Sequence, residues 1–160
     1  MATKDPWAAR VGDVALEHFE RGYSCAEAMV LALAPDDGRA PDDPQRAAAA
    51  LGGGIARAGL VCGCVTGAAI AVGLHMGRTS PDDKESKERA YAIMAKIVRR
   101  FEAAFGTTEC RKLTGLDFNE ENPQAELDRV HAEVCTRLVR FVAEAAQAEL
   151  AAAEAEAGKG

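Results

Sequence analysis

Aromatic side chains are scarce in this sequence, 5% of 160 residues, and its valines and isoleucines form no alternating runs. Strands are normally built from such runs, and alanine, the strongest helix former, dominates instead, so the composition predicts an all-α protein. Positive charge is also in deficit. Nineteen Lys and Arg stand against 25 Asp and Glu, for a net charge of −6. That balance argues against a general nucleic-acid or anionic-membrane binder, which needs a basic face. The first residues, MATKDPWAAR, carry no apolar segment followed by a small-residue cleavage site. A cytoplasmic protein with reduced thiols is therefore expected. No Ser–His–Asp arrangement, phosphate loop or carboxylate pair stands out, which disfavours a hydrolase or a kinase. There is no Cys-x-x-Cys pair and no Cys-x-x-Cys-His, so neither a thioredoxin-type site nor covalent haem is expected.

What is present is ordinary for a globular chain: 48% apolar and 28% charged residues. A chain of this length can bury roughly 70% of its unfolded surface and needs no disulfide framework. One uncharged stretch of twenty residues, AGLVCGCVTGAAIAVGLHMG, lies between Arg57 and Arg78. It is just long enough to span a bilayer. Its five glycines, two cysteines, threonine and histidine make it only modestly hydrophobic, and it reads as the buried central helix of a soluble bundle. Gly59, Gly63 and Gly67 recur every fourth position and would let a neighbouring helix approach; that face could serve as a homodimer seam.

The periodicity predicts a single-domain bundle of five or six helices around this central Gly-rich helix. A first helix covers about Pro6 to Arg21, capped by Asp5. A second opens at Ser24, where Ser24 and Glu27 form a capping box, and stops before Pro35. A short helix lies near Gln45 to Leu51, and the central one runs from about Leu60 to His75. A long amphipathic helix spans Asp82 to Phe105 and closes at Gly106. A short turn of helix follows Thr108, read as its N-cap, and ends at Gly115; the final helix starts near Pro123. The domain is placed at residues 1–147, with 148–160 an Ala/Glu-rich helical extension or frayed tail. His18 is expected to face solvent, and the basic residues of the long helix to form a solvated face.

Cys25, Cys62, Cys64, Cys110 and Cys135 are scattered through the chain. A lone scattered cysteine usually serves as a small buried hydrophobe. Three of these, however, sit near helix starts, where free N–H groups and the dipole favour thiolate. They suggest activated thiols gathered at one locus. Within a helix, residues two apart point roughly 200° from each other. Cys62 is therefore read as functional and Cys64 as packing or a spare thiol. His131, four residues before Cys135, could be a metal ligand or a hydrogen-bond donor to sulfur, although a boundary histidine on an amphipathic helix is the favoured reading.

In their order and surroundings, GYSCAEAM, LGGGIARAGLVCGCVTGAAIAVGL, FGTTECRKLTG and VCTRLVRFVAEA resemble the C-GCAxxG-C-C family of proteins described as redox active. The resemblance covers about residues 10–147. The family's central Cys-Gly-Ala-x-x-Gly falls on Cys62, Gly63, Cys64, Val65, Thr66 and Gly67, and Cys64 departs from its alanine. A similar cysteine-bearing domain occurs in split-Soret cytochromes, where it is associated with an iron–sulfur cluster. The resemblance implies Cys25, Cys62, Cys110 and Cys135 as ligands of a 2Fe–2S or 4Fe–4S cluster, with Gly63 and His131 around them, and a protein redox partner. Two other functions stay open: a metal-free thiol–disulfide protein using some of the five cysteines, and a structural or partner-binding bundle with a structural zinc.

Overall fold

A computed structural model of the protein describes residues 6–38 and 42–160. Among these residues the chain is helical apart from loops and one isolated antiparallel bridge, Val61 to Glu109. The elements are α1 (Pro6–Glu20), α2 (Cys25–Leu33), α3 (Asp42–Ala48), α4 (Gly63–Met76), α5 (Lys84–Phe105), α6 (Cys110–Thr114), α7 (Gln124–Val130), a π-helical turn (His131–Cys135) and α8 (Thr136–Ala157). The last three run on without a break. Seven helical rods result, of which α3 and α6 are short. The all-α architecture is as the composition predicts; Asp5, the expected cap of α1, lies outside the described residues.

Local chemistry sets several helix ends. Ser24 caps α2: its hydroxyl accepts from the Glu27 N–H at 3.3 Å, and its own N–H donates to Glu27 at 2.9 Å. Glu27 also accepts from the Gln45 side chain at 2.8 Å, which ties α3 to the start of α2. Asp83 caps α5 by accepting from the Ser86 N–H at 3.0 Å. Gly106 and Gly115 end α5 and α6 in the left-handed conformation, with φ of 82° and 73°, where glycine pays no Cβ penalty.

The core is assembled around α4, which packs against α2, α5 and α8. Met29, Val72, Ile97, Phe101, Val139, Val142 and Leu150 are fully buried in it. Each such side chain contributes roughly 1.5–3 kcal/mol of transfer free energy. The close approach of α2 to α4 depends on glycine. A Cβ on Gly67 would lie 2.5 Å from the Ala26 carbonyl oxygen and 2.9 Å from the Met29 Cβ. The small-residue face is thus filled by α2 of the same chain, and the dimer seam expected there is not available. Gly59 is not part of that face: it sits in a loop with φ of 74°. Among the described residues, no helix is long and apolar enough to cross a membrane.

Two surface expectations change. His18 is only partly exposed to solvent. Its Nδ1 is buried without a hydrogen-bond partner, its ring meets Tyr23 edge-on at 6.0 Å, and burial lowers its pKa. Lys96 and Arg100 are not merely solvated. They reach Glu149 of α8 at 3.6 and 3.3 Å, cross-linking α5 to α8. His75, at the end of α4, joins three helices: Nε2 lies 2.7 Å from the Leu33 carbonyl oxygen and Nδ1 3.4 Å from Glu154. The alanine-rich end stays helical to Ala157, and Leu150 within it is buried.

Candidate thiol site

The N-terminal ends of α2 and α4, the start of α6 and the π turn surround a cavity of about 550 Å3. All five cysteines line it. None is in a disulfide. Each is delivered by a different local device.

Cys25 is the first residue of α2, directly after the Ser24 cap. The side of α4 that faces it is Gly63, where a Cβ would overlap the Cys25 sulfur. Cys62 is the residue before α4, with extended backbone at φ −51° and ψ 132°. Cys110 opens α6. The two are stitched together across the Val61–Glu109 bridge. The Cys62 N–H donates to the Thr108 carbonyl at 2.8 Å, and the Cys110 N–H donates to the Leu60 carbonyl at 2.6 Å. Thr108 therefore serves through its carbonyl, and Glu109 takes the N-cap position expected of it.

Cys135 ends the π turn, in which the Thr136 N–H reaches back to the His131 carbonyl. The extra residue in a π turn re-aims the side chains around it, and such turns recur at functional sites. His131, at the other end of the turn, is exposed and stacks on Phe19, with ring centroids 4.2 Å apart and planes 8° from parallel. Both rings border the cavity.

The remaining wall is a left-handed turn. Gly53, Gly54, Ile55, Ala56 and Arg57 follow one another with φ of 64°, 72°, 65°, 50° and 67°. Three of these are not glycine, and each such residue costs roughly 1–2 kcal/mol in this conformation. Hydrogen bonds hold the turn closed, including Ala56 N–H to the Ala50 carbonyl at 2.9 Å and Arg57 N–H to the Gly52 carbonyl at 3.1 Å. Asn119 adds a bond from its side chain to the Arg57 carbonyl at 3.0 Å. A Cβ on Gly54 would come within 2.8 Å of the Cys110 Cβ. The turn thus lets backbone reach the thiols where side chains would block it.

The placement of Cys64 corrects the sequence reading. The argument that Cys62 and Cys64 point apart assumes that both are helical. Only Cys64 is, and the extended backbone at Cys62 brings both to the cavity. Cys64 is fully buried.

The thiols differ in acidity. The hydrogen bond from Cys64, with those from Gly53 and Ala26, brings Cys25 down from 9.0 to about 7, against the effect of burial. Cys64 moves well above 9.0, chiefly because its proton is held in hydrogen bonds to Cys25 and Cys62. Cys110 and Cys135 are pushed up to about 12, first by burial and then by the negative charge of Cys62 and Cys25. One thiol is thus ready as a thiolate near neutrality, and three hold their protons.

Among the described residues, no three His, Cys, Asp or Glu side chains are grouped so as to hold a single metal ion. The thiols are spread over the cavity walls. Soft sulfur donors on several sides of one cavity suit a ligand several atoms across, such as an iron–sulfur cluster. They do not present the preformed tetrahedron of a structural zinc site.

Against known proteins, residues 23–149 match the model of a family described as "Putative redox-active protein (C_GCAxxG_C_C)". Neither the curated proteins nor the solved structures give a match.

Proposed function

The chain belongs to the C_GCAxxG_C_C family, whose members are described as redox active, and on that premise we propose that it binds an iron–sulfur cluster through Cys25, Cys62, Cys110 and Cys135 and passes electrons to a protein partner. The observation that carries this reading is the gathering of cysteines from four distant segments around one cavity of about 550 Å3. A disulfide protein needs two thiols brought together; a cluster needs several, spaced apart.

When bound, a cluster supplies reversible one-electron transfer. The chain's own part is to hold sulfur and exclude water. Cys25 offers a thiolate, and Cys110 and Cys135 release their protons at Sγ only when a cation replaces them. Metal uptake should therefore release protons and weaken as pH falls through 7. The Gly53 and Ala26 N–H groups at Cys25 favour the negative charge on sulfur, and such donors raise the reduction potential of a cluster.

The test is a series of variants purified without oxygen. Cys25→Ser, Cys62→Ser, Cys110→Ser and Cys135→Ser should each lose most of the iron and acid-labile sulfide found in the parent. Cys64→Ala should keep both. A Cys25→Ser protein with its full iron and sulfide would overturn the ligand assignment.

A further inference from the structure

The cysteines form only part of the cavity wall. Leu113, Phe118 and Leu127 also border it and stay half-buried, so apolar surface faces the open space. The parallel rings of Phe19 and His131 add a flat wall. The charge around the cavity is one-sided. The sequence holds 25 Asp and Glu and has a net charge of −6, yet among the described residues no carboxylate lines the cavity, and the cationic Arg57 does. Two other polar side chains there are already engaged: Ser24 accepts from the Glu27 N–H, and the Thr114 hydroxyl donates to the Cys110 carbonyl. The Arg57 guanidinium makes no hydrogen bond or ion pair among the described residues. Arg111 on α6, by contrast, is paired with Asp117 at 2.9 Å. The Arg57 backbone is fixed at both ends, its N–H donating to the Gly52 carbonyl and its carbonyl accepting from Asn119.

Small-molecule sites combine a cavity of ~300–1,000 Å3, mostly apolar walls and a few convergent polar groups. This cavity, at about 550 Å3, has all three. From this arrangement we infer that it binds a small organic acid beside the thiols: the Arg57 guanidinium holds the carboxylate, and the acid's apolar body lies against Leu113, Phe118 and Leu127. Guanidinium and carboxylate are planar and pair through two parallel hydrogen bonds, which fixes the orientation of the acid as well as its charge. Both parts of the ligand are needed. A neutral analogue leaves the guanidinium without its anion, and an acid with no apolar body leaves the wall uncovered. The inference goes beyond the cluster reading and does not need it, since no thiol takes part in holding the acid.

The experiment is a calorimetric titration of the full chain, as purified without oxygen, with benzoate, benzyl alcohol and acetate at constant ionic strength. Benzoate should saturate a single site per chain and bind at least about tenfold more tightly than either of the others. Arg57→Ala should weaken benzoate binding about tenfold, and Arg57→Lys should fall between, because the charge remains without the two-pronged geometry. Equal affinity for benzoate and benzyl alcohol, or no binding of benzoate, overturns the inference. The wild-type titrations decide this even if a variant does not fold. Iron content is measured on the same samples. An Arg57→Ala protein that loses iron yet binds benzoate as tightly as the wild type also overturns the inference, and assigns Arg57 to offsetting the charge of a cluster. Wild-type protein that holds no iron and still prefers benzoate, with that preference lost in Arg57→Ala, supports the inference while the cluster reading fails.

Discussion

At the scale of single residues, the five thiols are chemically unequal although they share one cavity. Cys25 and Cys135 are both half-buried, yet one is brought down to about 7 and the other pushed up to about 12. In the metal-free protein, iodoacetamide at a pH between 7 and 9 should label Cys25 well ahead of Cys135, with a rate that rises to half its maximum near pH 7. Equal labelling of the two would contradict the hydrogen-bond account of Cys25. The shift also links to stability. Because the folded pKa lies below the ordinary 9.0, Cys25 contributes stability that is fully present above pH 9 and lost as pH falls through 7. Cys110 and Cys135 act in the opposite sense: their contribution is present below pH 9 and lost as pH rises toward 12. Two glycines of α4 make a further contrast. Gly73→Ala meets nothing within 4 Å and should stabilise the fold by about 0.5–1 kcal/mol through helix propensity. Gly63→Ala drives a methyl group into the Cys25 sulfur and should cost about 1–3 kcal/mol and deplete bound iron. Denaturant midpoints and iron content read both.

At the scale of elements, the sequence is legible where the signal is local. The Ser24–Glu27 box, the glycines at positions 106 and 115, and the stop before Pro35 each act within four residues of the boundary they set. Two elements escape such reading because their cause is distant. The π turn carries no helix-breaking residue; Cys135 and His131, at its two ends, border the same cavity as residues of α1, α2 and α4. The left-handed turn at 53–57 falls in the gap between the helices expected near Gln45 to Leu51 and from Leu60 to His75. Gly52, Gly53, Gly54 and Gly59, packed into eight residues beside Cys62, were the available hint. Nothing local foretells left-handed Ile55, Ala56 and Arg57, whose N–H groups donate to the carbonyls of residues 50–52 and whose last carbonyl accepts from Asn119. The same distance effect misled the reading of Cys64, since the extended Cys62 backbone is fixed by Thr108. Ala56→Gly tests the turn. Glycine in a regular helix or an open loop lowers stability, but at φ of 50° it relieves strain and should raise unfolding stability by about 0.5–1 kcal/mol. A loss of stability would contradict the left-handed run.

At the scale of the whole molecule, the bundle brings together what the chain keeps far apart. The α2–α4 contact carries Cys25, Cys62 and Cys64, the Val61–Glu109 bridge adds Cys110, and the α7–α8 rod adds Cys135. The core beneath them is apolar and well filled, with Phe101, Met29 and Ile97 wholly buried. A packed core of this kind forms a shell that would hold the proposed ligands in place. The central claim is that this shell exists to hold a cluster. Its most direct test is the content of iron, zinc and acid-labile sulfide per chain, with an absorption spectrum, in protein purified without oxygen. The account predicts iron and sulfide together, with absorption near ~400 nm that bleaches on reduction. Protein free of iron and sulfide, and colourless after reconstitution under reducing conditions, would contradict it.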